Sequence, residues 1–432
     1  NDNTTGNIDA TNVTSLASAS ISDIKTLLTN GNNTTNNFAA TSFQSLATVA
    51  VSDTTVSVTD LNDAIDQAVT ATSGTSTVFS VASGATITTG DEAEFTALRG
   101  HDTNGNIDIT NQNLTVSSGT ISVDNANLLN ALTTGTVTAA IDLTETVDEL
   151  TTLSGTGAYT IVIRSQDATN STAAEFNTIN NATTVAIDAS NVTALVSSDL
   201  SDVKTLLTAA NDTDQFTDST GKVSFGGLTA VAIADSTINV SDFNAAVTQA
   251  NTATGQTTRA NNATLFTLSN ATAFNGGTAS DFATLLTSET NGLISGGITT
   301  QALTVTGTIA VSAVNTLNTT TTGVVTATIT EGDMTTLANL ADKEGGQSTA
   351  NAYTVTITDT SVAASALNTL AGKTSVAVTG SAITTLTGAI SDVNIAYANT
   401  SGITGLGNEA VTISDTTNSG NGVAIADLNT LD

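Results

Sequence analysis

The fold is decided by the segment Thr354–Lys373, which reads TVTITDTSVAASALNTLAGK. Its first four residues alternate hydroxyl and branched apolar side chains, a pattern that is typical of a half-buried strand. Asp359 and Thr360 predict a turn, because their short side chains can bond the turn backbone. The apolar residues after the turn share one helical face: Ala363, Leu367 and Leu370. The segment therefore predicts a strand, a turn and a short amphipathic helix.

The same pattern recurs along the whole chain at intervals of roughly 20–40 residues. It lies within a longer repeat, because Ile8–Thr29 (IDATNVTSLASASISDIKTLLT) aligns without a gap with Ile187–Thr208 (IDASNVTALVSSDLSDVKTLLT). A third copy opens at Val376 with VAVTGSAITTL. We therefore divide the chain into long repeat 1 (residues 1–183), long repeat 2 (184–375) and a partial long repeat 3 (376–432), and expect one continuous body.

A strand and a short helix cannot bury their apolar faces alone, so neighbouring repeats must stack and share a core. We expect an α/β repeat fold, a solenoid with short parallel strands and short helices or turns in each repeat. An all-β solenoid is the alternative. The chain contains no proline, where average usage of about 5% predicts roughly twenty. A ladder of paired strands accounts for this, because proline removes a backbone donor.

Recurrent Ser-Asp pairs mark the predicted helix starts, where serine would cap the first turn and aspartate would complement the helix dipole. They begin at Ser22, Ser201, Ser241, Ser280 and Ser391.

Composition excludes several classes of function. With 8 Lys+Arg against 39 Asp+Glu, the formal net charge is −31, so the chain lacks the basic surface that nucleic acids and anionic membranes require. No apolar run is long enough for membrane insertion. There is no cysteine and one histidine, and no phosphate-binding or dinucleotide motif, which argues against catalysis. The first residues lack a secretion-signal pattern, so we expect a mature chain or an internal fragment.

One stretch is a candidate metal site. The residues DTNGNID offer Asp102, Asn104, Asn106 and Asp108 as oxygen ligands for calcium, and Asp2–Asp9 is a degenerate copy. The sixth position is Ile107 instead of glycine, however, and no glutamate closes the loop, so this is not an EF-hand. His101 precedes the stretch and is interpreted as structural. No cofactor other than calcium is indicated.

Aspartates that follow the β runs allow two interpretations. They form either a series of cation sites or Asx turns in which each carboxylate bonds the backbone two residues on. The four residues are Asp53, Asp235, Asp359 and Asp415. Lys25 and Lys204 occupy equivalent positions, and we expect each to form an ion pair with a neighbouring aspartate, not a covalent cross-link. Thr-x-Thr pairs such as Thr304/Thr306 raise a third hypothesis, an ordered hydroxyl surface that binds ice.

Segments such as VTGSAITTLTGAISDVN (from Val378), VTISDTT (from Val411) and VAIADLNTLD (from Val423) resemble the very large Thr/Asn/Asp-rich repeat proteins of marine bacteria, cyanobacteria among them. The resemblance implies an extracellular or cell-surface location and brings no family active site. We therefore expect a non-enzymatic structural protein whose repeats stack into a filament, sheath or surface layer through end-to-end or lateral self-association. The alternative is a calcium-dependent adhesin segment that binds a glycan or another cell.

Overall fold

The structure is a computed structural model that describes residues 6–33, 38–74, 76–217, 224–255, 263–342, 350–415 and 423–431. The chain divides into two compact units. The first comprises Asn1–Ala194 and Ala209–Gly227, and the second comprises Leu195–Thr208 and Leu228–Asp432. This division falls near the start of long repeat 2 and does not test the three-repeat division, which stays a prediction.

The strands are short and lie at intervals along both units. Those that begin in the first unit are β1 Ser15–Ala19, β2 Thr48–Val51, β3 Thr55–Ser57, β4 Val78–Val81, β5 Thr86–Gly90, β6 Asn113–Val116, β7 Val137–Ala140, β8 Ala158–Thr160 and β9 Ala194–Ser198. The remaining strands are β10 Ala230–Ile233, β11 Thr237–Asn239, β12 Leu265–Thr267, β13 Ala273–Gly277, β14 Ile294–Ser295, β15 Ala302–Ile309, β16 Val325–Ile329, β17 Ala352–Thr354, β18 Ser361–Ala363, β19 Val378–Thr379, β20 Thr385–Gly388, β21 Ile403–Thr404 and β22 Ala410–Ile413.

Helices alternate with these strands. Those that begin in the first unit are α1 Ile21–Asn32, α2 Val58–Ala71, α3 Glu92–Thr103, α4 Val123–Leu132, α5 Val147–Leu150 and α6 Ala173–Asn181, with 3₁₀ helices at Ser165–Asp167 and Ser224–Gly227. The others are α7 Leu200–Ala210, α8 Val240–Thr254, α9 Ala279–Thr290, α10 Val311–Thr320, α11 Met334–Leu337, α12 Ala364–Gly372, α13 Ile390–Ala398 and α14 Ile425–Leu431.

The protein is therefore a mixed α/β protein, which confirms that part of the predicted fold class. The all-β alternative is wrong, because leucine, valine and alanine at helical spacing bury one side of a helix after most strands.

Strands that are neighbours in a sheet pair in parallel, as predicted. In the first unit the sheet orders are β1-β2-β4 and β3-β5-β6-β7-β8. In the second unit β9, β10, β12 and β14 are adjacent in one sheet, and a five-stranded sheet has the order β11-β13-β15-β16-β17. Two smaller sheets follow, β18-β20-β22 and β19-β21. The element order and sheet connections of the first unit thus recur in the second, in the order of the sequence alignment.

We use the word module for one or two strands together with the helix that follows them. In the module β17, β18 and α12, the observed strands are Ala352–Thr354 and Ser361–Ala363, and the helix begins at Ala364. The sequence pattern did not predict the second strand. Ala363, which was predicted to lie in the helix, is the last residue of that strand. The buried helical face starts at Ala364 and includes Leu367 and Leu370.

The residues that cap the helices lie two positions before the predicted ones. The serine of each Ser-Asp pair lies inside the first turn, and the residue that caps the helix comes earlier. Ser20 caps α1 by accepting a hydrogen bond from the backbone N–H of Asp23. Asn239 caps α8 and Thr278 caps α9 in the same way. The aspartates lie in the first turn, where a negative charge is favourable.

Tyr159 and Tyr353 are the largest buried side chains and occupy corresponding positions in the two long repeats. The backbone of Tyr159 is held by Thr183, whose hydroxyl accepts from the tyrosine N–H at 3.0 Å and donates to its carbonyl at 2.8 Å. Gly157 lies against the ring, because a Cβ there would come 2.4 Å from Tyr159 Cζ. The Tyr159 hydroxyl is buried and has no hydrogen-bond partner in the described part of the chain. Burial raises the pKa of this phenol.

We predict that Tyr159→Phe does not destabilise the protein and raises its free energy of unfolding by about 1 kcal/mol, because it removes a buried, unpaired hydroxyl. Tyr397→Phe is the matched control. The Tyr397 hydroxyl donates to Glu409 Oε2 at 3.0 Å, so its removal should lower stability by about 1 kcal/mol or less. Urea unfolding of the two variants beside the parent chain measures both changes. A clear loss of stability in Tyr159→Phe contradicts the prediction.

Candidate functional site

The contacts between successive modules form the most regular polar feature of the structure. In each case a carboxylate in the turn after a strand accepts a hydrogen bond from the first backbone N–H of the helix in the preceding module. The four contacts are Asp53 to Ile21 N at 2.6 Å, Asp235 to Leu200 N at 2.7 Å, Asp359 to Met334 N at 2.7 Å and Asp415 to Ile390 N at 2.7 Å. We call such a contact a carboxylate clasp.

Three further carboxylates make the same contact. They are Glu145 with Val123 N at 3.1 Å, Glu331 with Val311 N at 3.0 Å and Asp167 with Val147 N at 3.3 Å. The first N–H groups of a helix have no acceptor within the helix, and the helix dipole makes that end electropositive. A carboxylate from the next module supplies both the missing hydrogen-bond acceptor and the negative charge. Sequence reasoning missed these three residues, and the available signal was an acidic residue in the turn after a strand.

The clasp differs from the predicted Asx turn, and the series of cation sites at these aspartates stays a prediction. Their carboxylates bond helix N–H groups 25–35 residues earlier in the chain, which is not the local Asx turn. Asx turns occur at other aspartates, where the acceptor bonds the N–H two residues on: Asp9, Asp108, Asp142 and Asp188. The Asx-turn prediction was wrong at these four aspartates, because the helix that supplies the N–H group belongs to another module and a local sequence pattern does not show it.

A second contact joins stacked helices. An asparagine amide in one helix donates to the backbone carbonyl of the third residue of the next helix. The pairs are Asn62 with Glu94 O at 2.9 Å, Asn244 with Asp281 O at 2.9 Å, Asn368 with Asp392 O at 2.9 Å and Asn394 with Asp427 O at 3.0 Å. Their Oδ1 atoms are buried and accept no hydrogen bond from the described residues. Burying this oxygen without a partner costs free energy. The amide hydrogen bond offsets that cost only when the two helices have this register.

Lysine replaces asparagine in the first helix pair of each unit. Lys25 Nζ lies 2.7 Å from Asp60 and 2.8 Å from Asp63. Lys204 Nζ lies 2.5 Å from Asp242, which again is the third residue of the next helix. The predicted ion pairs are confirmed. The hydrogen bonds that Lys25 donates to the carboxylates of Asp60 and Asp63 raise the pKa of Lys25, which keeps it charged. Because these side chains are partly exposed, each pair contributes modestly to stability.

The candidate calcium ligands lie at the end of α3 and in the residues directly after it. Gly105 adopts a left-handed φ of 74°, and Asn106 N donates to His101 O at 2.9 Å, which closes the end of α3. Gly292 and Leu293 close α9 identically, with φ 72° and a 3.0 Å bond from Leu293 N to Ser288 O. The Thr-Asn-Gly signal for a helix end was therefore present in the sequence and was missed.

The four candidate ligands have separate partners. Asp102 Oδ1 accepts from Ile109 N at 3.2 Å. Asp108 Oδ1 accepts from the Thr110 hydroxyl at 2.5 Å and from Thr110 N at 2.9 Å, and these two bonds lower the pKa of Asp108. Asn104 caps α3, and Asn106 is buried with its amide 3.4 Å from Thr77 O. No group of three or more His, Asp or Glu side chains suited to a metal occurs among the described residues. Residues 2–5 of the degenerate copy at Asp2–Asp9 lie outside the described residues.

His101 and Arg164 lie close to acidic side chains within the first unit. His101 Nε2 lies 3.7 Å from Asp66, and burial lowers the pKa of the imidazole. Arg164 bonds Asp167 at 2.7 Å and thereby supports one of the clasp carboxylates. Arg99 lines a small pocket with Glu92 and Asn125. Arg259 lies outside the described residues. Arg164 also donates to Thr144 O at 2.8 Å and thereby joins two neighbouring modules.

A groove of about 250 Å³ runs beside β4, an outer strand of its sheet. Its polar lining includes Ser80, Ser83, Asp108, Asn111 and Gln112. Hydroxyl, amide and carboxylate groups of this kind can bond a polyhydroxylated ligand. The groove thus includes one of the candidate calcium ligands.

Threonines are aligned in register on the sheet of the second unit. Thr308 pairs with Thr328, which pairs with Thr354, and all three are exposed. The neighbouring row, Thr304 and Thr326, ends at Ala352. The hydroxyl surface is therefore short, and ice binding stays a prediction.

Comparison of the chain with protein-family models finds no match, and comparison with curated proteins finds none either. Within the described residues, no helix combines the length and the apolar character needed to cross a membrane.

We predict that Asp53→Ala lowers the free energy of unfolding by about 1–2 kcal/mol, because it removes both the acceptor and the charge at the start of α1. Asp53→Asn should cost less, since an amide oxygen can still accept the bond. Asp214→Ala is the matched control, because Asp214 is exposed and has the same charge. If urea unfolding finds equal effects for Asp53→Ala and Asp214→Ala, the clasp does not stabilise the protein.

Proposed function

We propose that the protein is an extracellular structural protein, a solenoid whose stacked modules form or line a filament, sheath or surface layer. The observation that carries the proposal is the carboxylate clasp. Each clasp makes one module complete the helix of its neighbour, so the stabilising contacts run from module to module. A protein built in this way gains stability by adding modules, which suits a structural role.

The charge supports the same proposal. A net charge of −31 on 432 residues leaves many carboxylates on the surface after those in clasps are counted. Such a surface repels its own copies at low salt and allows cations to bridge them. Absence of cysteine means that stability comes from burial and hydrogen bonds, which serve in an oxidising environment. The resemblance to surface proteins of marine bacteria also supports an extracellular location.

Electron microscopy and sedimentation of the purified 432-residue chain test this proposal. We expect thin particles that lengthen or associate laterally as protein concentration and divalent-cation concentration rise. Monodisperse particles whose size never changes across those conditions contradict self-association and therefore the structural role.

The second candidate is a calcium-dependent adhesin segment. The groove beside β4 favours it, because the groove presents hydroxyl, amide and carboxylate groups together with Asp108. Calcium held by Asp102, Asn104, Asn106 and Asp108 would stiffen one edge of this groove.

We expect calcium, if it binds there, to raise the melting temperature, and EDTA to reverse the change. Asp102→Asn combined with Asp108→Asn should abolish the calcium effect, whereas the control Asp214→Asn should retain it. A melting temperature that is the same in calcium and in EDTA removes the support for the adhesin and leaves the structural proposal intact.

A further inference from the structure

The groove beside β4 lies where the loops of the two long repeats differ in length. In each repeat a buried phenylalanine of the strand pairs with an isoleucine of the loop that follows the next helix. The pairs are Phe79 with Ile107 and Phe266 with Ile294. From this isoleucine the chain reaches a buried glutamine, Gln112 in the first repeat and Gln301 in the second. The path takes five residues in the first repeat and seven in the second.

The two additional residues, Gly296 and Gly297, cover the strand in the second repeat. Leu268 N donates to Ser295 O at 2.8 Å, and a Cβ built on Gly296 would lie 3.2 Å from the Leu268 carbonyl oxygen. In the first repeat Val81 holds the position of Leu268. No backbone hydrogen bond joins Val81 to the loop within the described part of the chain. The shorter loop therefore leaves this side of β4 open, and the groove lies there.

Three exposed polar side chains around the groove keep hydrogen-bonding capacity. Asp108 accepts from Thr110 through Oδ1, and its Oδ2 atom has no donor among the described residues. The Asn111 side-chain oxygen accepts from the Thr134 hydroxyl at 3.3 Å, whereas its amide N–H groups contact no acceptor in the described chain. The Ser83 hydroxyl has no described partner either. The groove thus offers a carboxylate acceptor, an amide donor and a hydroxyl.

These groups match the hydroxyls of a sugar, because each hydroxyl both donates and accepts. Val78 lines the same groove and is 41% exposed, so it offers an apolar surface to the C–H groups of a sugar ring. A volume of about 250 Å³ equals about eight water molecules at roughly 30 Å³ each, which is enough for one ring. The Asp108 carboxylate and the net charge of −31 disfavour anionic sugars.

A peptide strand fits the groove less well than a sugar. Strand addition uses a row of free backbone N–H and C=O groups along a sheet edge. On this side of β4, Phe79 N already donates to Asn106 O at 2.7 Å. Gln112 Nε2 donates to Val81 O at 3.2 Å. Too few backbone groups remain for a strand, whereas the side-chain groups remain for hydroxyls.

We propose that the groove beside β4 binds one ring of a neutral sugar and does so without calcium. One ring hydroxyl donates to Asp108 Oδ2, a neighbouring hydroxyl accepts from the Asn111 amide, and the ring lies against Val78. The inference rests on the glycan-binding role of the second candidate function and removes its need for a metal. A single ring binds weakly, with a Kd on the order of 1 mM, so firm attachment uses several copies at once.

Saturation-transfer NMR of the full 432-residue chain in EDTA tests the groove. The neutral probes are glucose, galactose, mannose and N-acetylglucosamine, and glucuronic acid is the anionic probe. We expect at least one neutral probe to bind, and glucuronic acid to bind at least about tenfold more weakly. Asp108→Ala combined with Asn111→Ala should weaken binding at least about tenfold. The matched control is Ser295→Ala combined with Thr300→Ala, the corresponding exposed positions of the second repeat, and it should bind like the parent chain.

Insertion of two glycines after Asp108 provides a second variant that leaves every side chain in place. It gives the loop the length that it has in the second repeat, so it should cover Val81 and abolish binding. The melting temperature of each variant shows whether it is folded.

The outcomes separate the groove from the function on which it rests. If a neutral sugar binds and neither variant weakens it, the groove is not the site, while the adhesin candidate stands. If the neutral probes bind in calcium and none binds in EDTA, the site needs the metal and the inference is wrong. If no probe binds in either condition, the glycan-binding role fails together with the groove, and the structural proposal is unaffected.

Discussion

The structure depends on one requirement of backbone chemistry: the first N–H groups of a helix need an acceptor that the helix cannot supply. Here the acceptor is often a carboxylate from the following module, at distances of 2.6–3.3 Å. The charge of that carboxylate also meets the positive end of the helix dipole. A module is consequently incomplete without its successor. The repeats of the sequence are thus physically coupled.

The other interactions follow from this coupling. Parallel strands pair from one module to the next, so every module also needs a neighbour for its strand edges. Asparagine and lysine set the offset between stacked helices by reaching the third residue of the next helix. The core consists of aliphatic residues, phenylalanines and two tyrosines in the narrow space between sheet and helix. Small side chains suit that space, and this accounts for the low aromatic content of 3%.

Much of the fold could be predicted from residue patterns. Alternating runs, turn aspartates and leucine spacing predicted α/β modules with parallel strands, and equivalent lysines predicted the ion pairs. The second strand before the helix, such as Ser361–Ala363, was missed because three residues are too few to show a period. The clasps were missed because donor and acceptor lie 20–35 residues apart, beyond any local motif. At Asp102–Asp108 the calcium site stays a prediction, whereas the helix end that Thr-Asn-Gly indicates was missed.

Native-state hydrogen exchange of the full chain measures the central claim most directly. First-turn amides of helices ordinarily exchange fast, because water is their only acceptor. We predict slow exchange for the amides of Ile21, Leu200, Met334 and Ile390, comparable with that of amides inside the same helices, because carboxylates of the next module hold them. Exchange of these four amides at the rate of an unstructured chain contradicts the account, since modules would then complete their helices without one another.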